Sequence, residues 1–220
     1  MKVNGIKYEF SQKESFWTIV GAYEDIHFAS SIPERIDGYP VLAIGEKAFY
    51  KVKSLTGIVL PRSINYIGKE AFAGCTRLQY VSFERKSCAN LNIGVKAFYG
   101  CCDLKRFQAT DRIAFVKAQA FEGCSNLHYI DCKMKTIAYH SFTECQHLDA
   151  MIFADDAMIS TRGILNCNVE HVAFEGRAVI PNTDAFLQMF PESTVFATEQ
   201  FSYWDLVYEG LHIAPRQTTE

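Results

Sequence analysis

Eight cysteines and six histidines hold most of the chemical potential of this 220-residue chain, and three uses compete for them. Metal binding through thiolates needs pairs spaced for one tetrahedral site. No Cys-x-x-Cys occurs, Cys101 and Cys102 are adjacent, and the histidines lack ligand spacing, so no metal or cofactor is expected. Nucleophilic catalysis needs a thiol within hydrogen-bond reach of a base. His140 or His147 with Cys145 is the available combination, but Cys145 falls in a column of residues that must be buried, which argues against a working thiolate. The carboxylates Asp155 and Asp156 adjoin a turn and read as capping or solvating it. No phosphate loop, zincin motif or dinucleotide fingerprint is present. No catalytic residue is assigned, and the chain reads as non-enzymatic.

Disulfides are the third use. Equivalent residues of stacked strands lie ~4.8 Å apart, inside the range of Cα separations a disulfide tolerates. Side chains that all point into a core in parallel rarely reach the required torsion, so the expectation is a ladder of buried thiols acting as small hydrophobes. Cys132, at a strand core position, belongs with it. Cys88 and Cys102 are expected to be exposed and reactive, which keeps a thiol-based redox sensor as an alternative function.

The elements that must position these residues come from an internal repeat. Anchors recur at Phe49, Phe72, Phe98, Phe121, Phe142, Ile164 and Phe186, with gaps of 23, 26, 23, 21, 22 and 22. Three residues past the anchor stand Cys75, Cys101, Cys124, Cys145 and Cys167, with Val52 and Met189 in the outer units. Leu55, Leu78, Leu104, Leu127 and Leu148 follow, then Ile58, Val81, Phe107, Ile130, Met151 and Val172. Ile67, Ala71 and Cys75 are spaced by four, which predicts one stripe of a short helix or turn. Gly74, Gly100 and Gly123 sit where a positive φ would end that turn. Leu78, Val81 and Phe83 alternate as a half-buried strand requires. Such a unit cannot bury its apolar side alone, and stacking the units builds a continuous core.

These columns resemble the BspA-like bacterial leucine-rich repeat family, whose unit runs Ile-Gly-x-x-Ala-Phe-x-Gly-Cys-x-x-Leu-x-x-Ile-x-(Ile/Leu)-Pro. Residues 44–61, "IGEKAFYKVKSLTGIVLP", and 66–83, "YIGKEAFAGCTRLQYVSF", match it almost column by column. The resemblance implies an α/β repeat fold: a right-handed leucine-rich repeat solenoid with a parallel sheet on its concave face. It also implies proteins of bacterial surfaces used in adhesion. The organisation expected here is an N-terminal β-hairpin cap (1–30, strands 6–10 and 16–22), a solenoid of about seven units (31–197) and a C-terminal cap and tail (198–220). Three extra residues between Phe83 and Ile93 predict a bulge on a loop edge.

Composition narrows the function. Net charge is −3 and the basic residues are scattered, so no footprint for nucleic acid exists. No apolar run approaches the ~18 residues of a spanning helix, so membrane insertion is not expected. "MKVNGIKYEFSQ" has no apolar leader core, which favours the cytoplasm, with the cell surface or secretion as the alternative if a leader was removed. The outward residues of the expected concave strands are therefore the candidate site: Tyr80, Ser82, Arg106, Gln108, Tyr129, Asp131 and His171. Tyr and Arg are enriched at interface hot spots, so this face is expected to bind a protein or peptide. A glycan stacked on Tyr80 and Tyr129, in an adhesion module of a bacterial surface protein, is the rival. A simple surface pairing of Arg106 with Asp131 is the bland reading.

Overall fold

In the computed structural model, residues 1–175 are described apart from 24, 30–31 and 85–88, followed by 178–179, 188–189, 194–197 and 213–215. The chain winds as a β-solenoid of about seven turns, each coil hydrogen-bonded to its neighbours along parallel ladders. One ladder runs through Phe28–Ala29, Gly57–Leu60, Tyr80–Phe83, Arg106–Val116, Tyr129–Ile137, Leu148–Ile159, Val169–Phe174, Thr194–Ala197 and Ile213–Pro215. A second joins Tyr39–Ile44, Tyr66–Ile67 and Leu91–Ile93 to the far ends of the three long strands. Those long strands turn the corner and so serve both ladders. Ile19, Ile44, Ile67, Ile93, Val116, Ile137 and Ile159 align in successive coils of the second ladder, each buried.

At the N-terminus, Ile6–Ser11 and Phe16–Ala22 pair as an antiparallel hairpin, and Phe16–Ala22 pairs in parallel with Tyr39–Ile44. The segment proposed from sequence as a C-terminal cap lies almost wholly outside the described residues, as do Phe186 and most of the inserted loop after Phe83.

The helical half of the α/β expectation finds no support in the repeat units. Turns occupy the Ala-Phe-x-Gly-Cys segments, and 188–189 are the only α-helical residues among those described. The reason lies in the hydrogen bonds. The amides of Lys47, Phe49 and Lys51 donate to the carbonyls of Lys69, Ala71 and Ala73, and Glu70, Phe72 and Gly74 repeat this toward Val95, Ala97 and Tyr99. Alternate amides thus pair along the solenoid axis, while the intervening ones close four-residue turns within the coil. An α-helix would direct all its amides back into its own segment and would uncouple the coils. The alternation needs left-handed residues. Gly74, Gly100 and Gly123 have φ of 73°, 66° and 75°, and Lys47, Glu70, Lys96, Gln119 and His140 adopt 53–58° without glycine's freedom. The inter-coil bonds offset that cost.

The core is built from columns. Phe49, Phe72, Phe98, Phe121 and Phe142 are fully buried and stack ring on ring, with centroids 4.8 Å to 5.1 Å apart and planes within 9° of parallel. Phe107 meets Phe98 and Phe121 edge-on at 5.5 Å and 5.4 Å, the complementary aromatic geometry. Adjacent coils approach closely at the Ile-Gly step. A Cβ on Gly68 would stand 2.7 Å from the backbone carbon of Gly45, and one on Gly94 equally close to Gly68.

Candidate functional site

The cysteine column answers the chemical question first. Cys75, Cys101, Cys124 and Cys145 are buried and free, and each thiol donates to the carbonyl of the anchor phenylalanine one coil earlier. The distances are 2.9 Å to Phe49, 3.1 Å to Phe72, 3.2 Å to Phe98 and 3.2 Å to Phe121. Cys167 continues the series to Phe142. Burial pushes the Cys75 and Cys132 thiols up to about 12, and drives those of Cys101 and Cys124 upward as well. Thiols held neutral in this way are poor nucleophiles.

The nucleophile–base combinations weighed from sequence do not assemble. His140 stacks on Tyr139 at 3.9 Å, His147 stacks on His128 at 5.3 Å, and the Cys145 thiol is directed to Phe121. Cys102, expected to be exposed, is half-buried with its thiol toward the carbonyl of Thr76 at 3.5 Å, because its coil packs beneath the preceding one. Cys88 lies outside the described residues. Asp155 and Asp156 occupy the strand Leu148–Ile159, where Asp155 accepts the Asp156 amide at 3.0 Å and Asp156 takes a φ of 51°. Among the described residues no group of three or more potential ligands could hold a metal ion, and no helix is long and apolar enough to cross a membrane.

On the first ladder, the candidate residues fall into register. Arg106 aligns with Tyr80 on one side and Tyr129 on the other; Gln108 aligns likewise with Ser82 and Asp131. The inward neighbours Val81, Phe107 and Ile130 are buried, which commits Tyr80, Arg106 and Tyr129 to the outer face. Tyr80 is 44% exposed and Tyr129 43%. His171 stands two coils beyond Tyr129 through Ala150, exposed beside Glu170 at 3.6 Å. Asp131 accepts a hydrogen bond from the Thr110 hydroxyl and sits diagonally to Arg106 rather than opposite it.

Two residues that matter to this face carried no repeat signal. Phe28 aligns with Gly57 and is 54% exposed, its ring leaning over the glycine so closely that a Cβ there would meet it at 2.6 Å. It precedes the first full unit, so column matching passes over it. Arg112 is fully buried at the corner behind the face. Its guanidinium donates to the carbonyls of Ile64, at 2.7 Å, and Arg62, and lies 4.3 Å from the centre of the Phe83 ring. Burial lowers its pKa. An arginine of the strand Arg106–Val116 that reaches the carbonyls of Arg62 and Ile64 is a strut between coils, and no repeat column marks it.

A parallel β-solenoid with a buried phenylalanine–cysteine ladder and an exposed register of strand residues defines a leucine-rich repeat protein. The BspA type leucine rich repeat region matches in six copies over residues 42–170, and the chain belongs to that family. Among solved structures it is similar to a leucine rich cell surface protein from Faecalibacterium prausnitzii A2-165, at 22% identity and a TM-score of 0.70, covering 90% of this chain and 54% of that one. It therefore spans about half the length of that neighbour. It is also similar to a leucine rich repeat protein of T. pallidum, at 20% identity and a TM-score of 0.58, covering 97% and 99% of the two chains. No curated protein matches. No catalytic family is indicated.

Proposed function

We propose that this chain is a recognition module that binds a protein or peptide across the outer face of its first ladder, the concave face of the leucine-rich repeat. The observation that carries the reading is the register Tyr80–Arg106–Tyr129: two half-exposed rings flanking a guanidinium on a backbone fixed by parallel pairing. Ser82, Gln108 and Asp131 form the parallel register beside it, and His171 extends it. Rigid aromatic and arginine side chains presented this way give contact area at small entropic cost. A cell-surface or secreted setting is supported by the family resemblance and by the description of the Faecalibacterium neighbour; the free thiols favour the reducing-compartment alternative.

The test is an affinity capture with the intact chain against Arg106→Ala and Tyr80→Ala, each checked for unchanged melting. A specific partner retained by the native chain and weakened about tenfold or more in both variants, ~1.4 kcal/mol each, is the expected result. Identical captures by all three proteins overturn the reading.

A further inference from the structure

The outer register of the first ladder has a period. Tyr80, Tyr129 and His171 occupy every second coil, with Arg106 and Ala150 between them. From this we infer that the partner is a proline-rich segment in the polyproline II conformation, lying along the solenoid axis with every third residue against a ring. The inference rests on the proposed recognition role and specifies its ligand.

The argument is one of matching repeats. Neighbouring coils are ~4.8 Å apart, so alternate rings recur every ~9.6 Å. A polyproline II helix has three residues per turn and a rise of ~3.1 Å, so equivalent residues recur every ~9.3 Å. From Tyr80 to His171 the two ladders drift by only ~0.6 Å. A β-strand on the same line presents same-side residues every ~6.8 Å, ~2.8 Å off at the second ring; an α-helix repeats every ~5.4 Å, so its turns are ~1.2 Å off at the second ring and ~2.4 Å off by the third.

The chemistry agrees with the spacing. Pyrrolidine rings are flat apolar bodies that dock on aromatic faces, and the helix is formed before binding. Its carbonyls make no internal hydrogen bonds, which leaves them available to the Arg106 guanidinium and the tyrosine hydroxyls between the docked prolines. Asp149 and Glu170 are exposed at the margin of the same face, one residue before Ala150 and His171. They complement a basic residue at that end of the ligand.

The experiment is an array of twelve-residue peptides with proline at every second, third or fourth position, each carrying a terminal Arg or Glu. It is probed with the intact chain and with a Tyr80→Ala/Tyr129→Ala variant whose melting is unchanged. Three-residue spacing with a terminal Arg is expected to bind about tenfold more tightly than the other spacings, and the double variant to lose that preference. Equal binding at all spacings, or a preference that survives in the double variant, overturns the inference. So does binding of β-linked oligosaccharides through these tyrosines with a flat peptide array. If the array is flat while the captured partner still depends on Arg106 and Tyr80, the ligand class falls and the recognition role stands; if neither depends on them, both fall.

Discussion

The thiol of Cys101 donates to the carbonyl of Phe72 at 3.1 Å, joining two adjacent coils through the residues that repeat most faithfully. The same ring stacks on Phe98 at 5.0 Å, so each anchor is held by its neighbours' ring and by a thiol. A sulfur hydrogen bond is weak, and the slot tolerates its absence: Val52 fills it in the first unit, buried and without a donor. Volume should therefore dominate. Cys101→Val, which adds one methyl-sized group to a slot that Val52 fills in the first unit, is expected to cost about 1–3 kcal/mol. Phe98→Ala, which opens the centre of the ring stack, is expected to cost about 3–5 kcal/mol. Urea unfolding of the two variants checks the order, and equal losses would show that the thiol bond, not the packing, sets the column.

Alkaline pH should unfold the chain through the same column. The thiol pKa values are raised by burial, to about 12 for Cys75 and Cys132. In the unfolded chain these thiols ionise near the ordinary value of ~8.5. Below that pH both states carry the proton and the stability contribution is complete. Above it the unfolded state releases protons the folded state keeps, so stability falls as pH rises toward about 12, by up to about 1.4 kcal/mol per pH unit for each such thiol. Denaturation midpoints at pH 8, 9 and 10 measure the slope. A Cys75→Val/Cys132→Val variant should be less steep, and an unchanged slope would assign the effect elsewhere.

Arg112 should be hard to replace. Its guanidinium satisfies the carbonyls of Arg62 and Ile64, and its Nε has no partner among the described residues. Arg112→Met removes the buried charge but strands two carbonyls, with an expected loss of about 2–4 kcal/mol. Arg112→Lys keeps the charge but lacks the planar fork that reaches both oxygens, and should lose nearly as much. Thermal melting tests both; a methionine variant as stable as the native chain would mean that the strut's desolvation cancels its hydrogen bonds.

The repeat was legible because it is a matter of local pattern. Phe72, Cys75, Leu78 and Val81 recur with their spacing in successive units, and each lies in the core. Tyr80, Arg106 and Tyr129 could be aligned from the same columns, since strand alternation fixes which residue faces outward. The four-residue spacing of Ile67, Ala71 and Cys75 allowed a short helix or a turn. All three are buried, Ile67 in the strand Tyr66–Ile67 and Ala71 in a turn, and the segment stays out of a helix because its alternate amides, those of Glu70, Phe72 and Gly74, pair with the next coil.

By itself, then, the order of residues determined the period, the identity of the buried columns and the register of the outer strand face, all of which depend only on where apolar side chains recur. The tertiary structure alone decided that turns replace helices, that Phe28 leans over Gly57, and that Arg112 meets carbonyls 48 and 50 residues away. Those features depend on how closely one coil lies on another and on which backbone groups a corner leaves unpaired, and neither quantity exists until the coils are stacked.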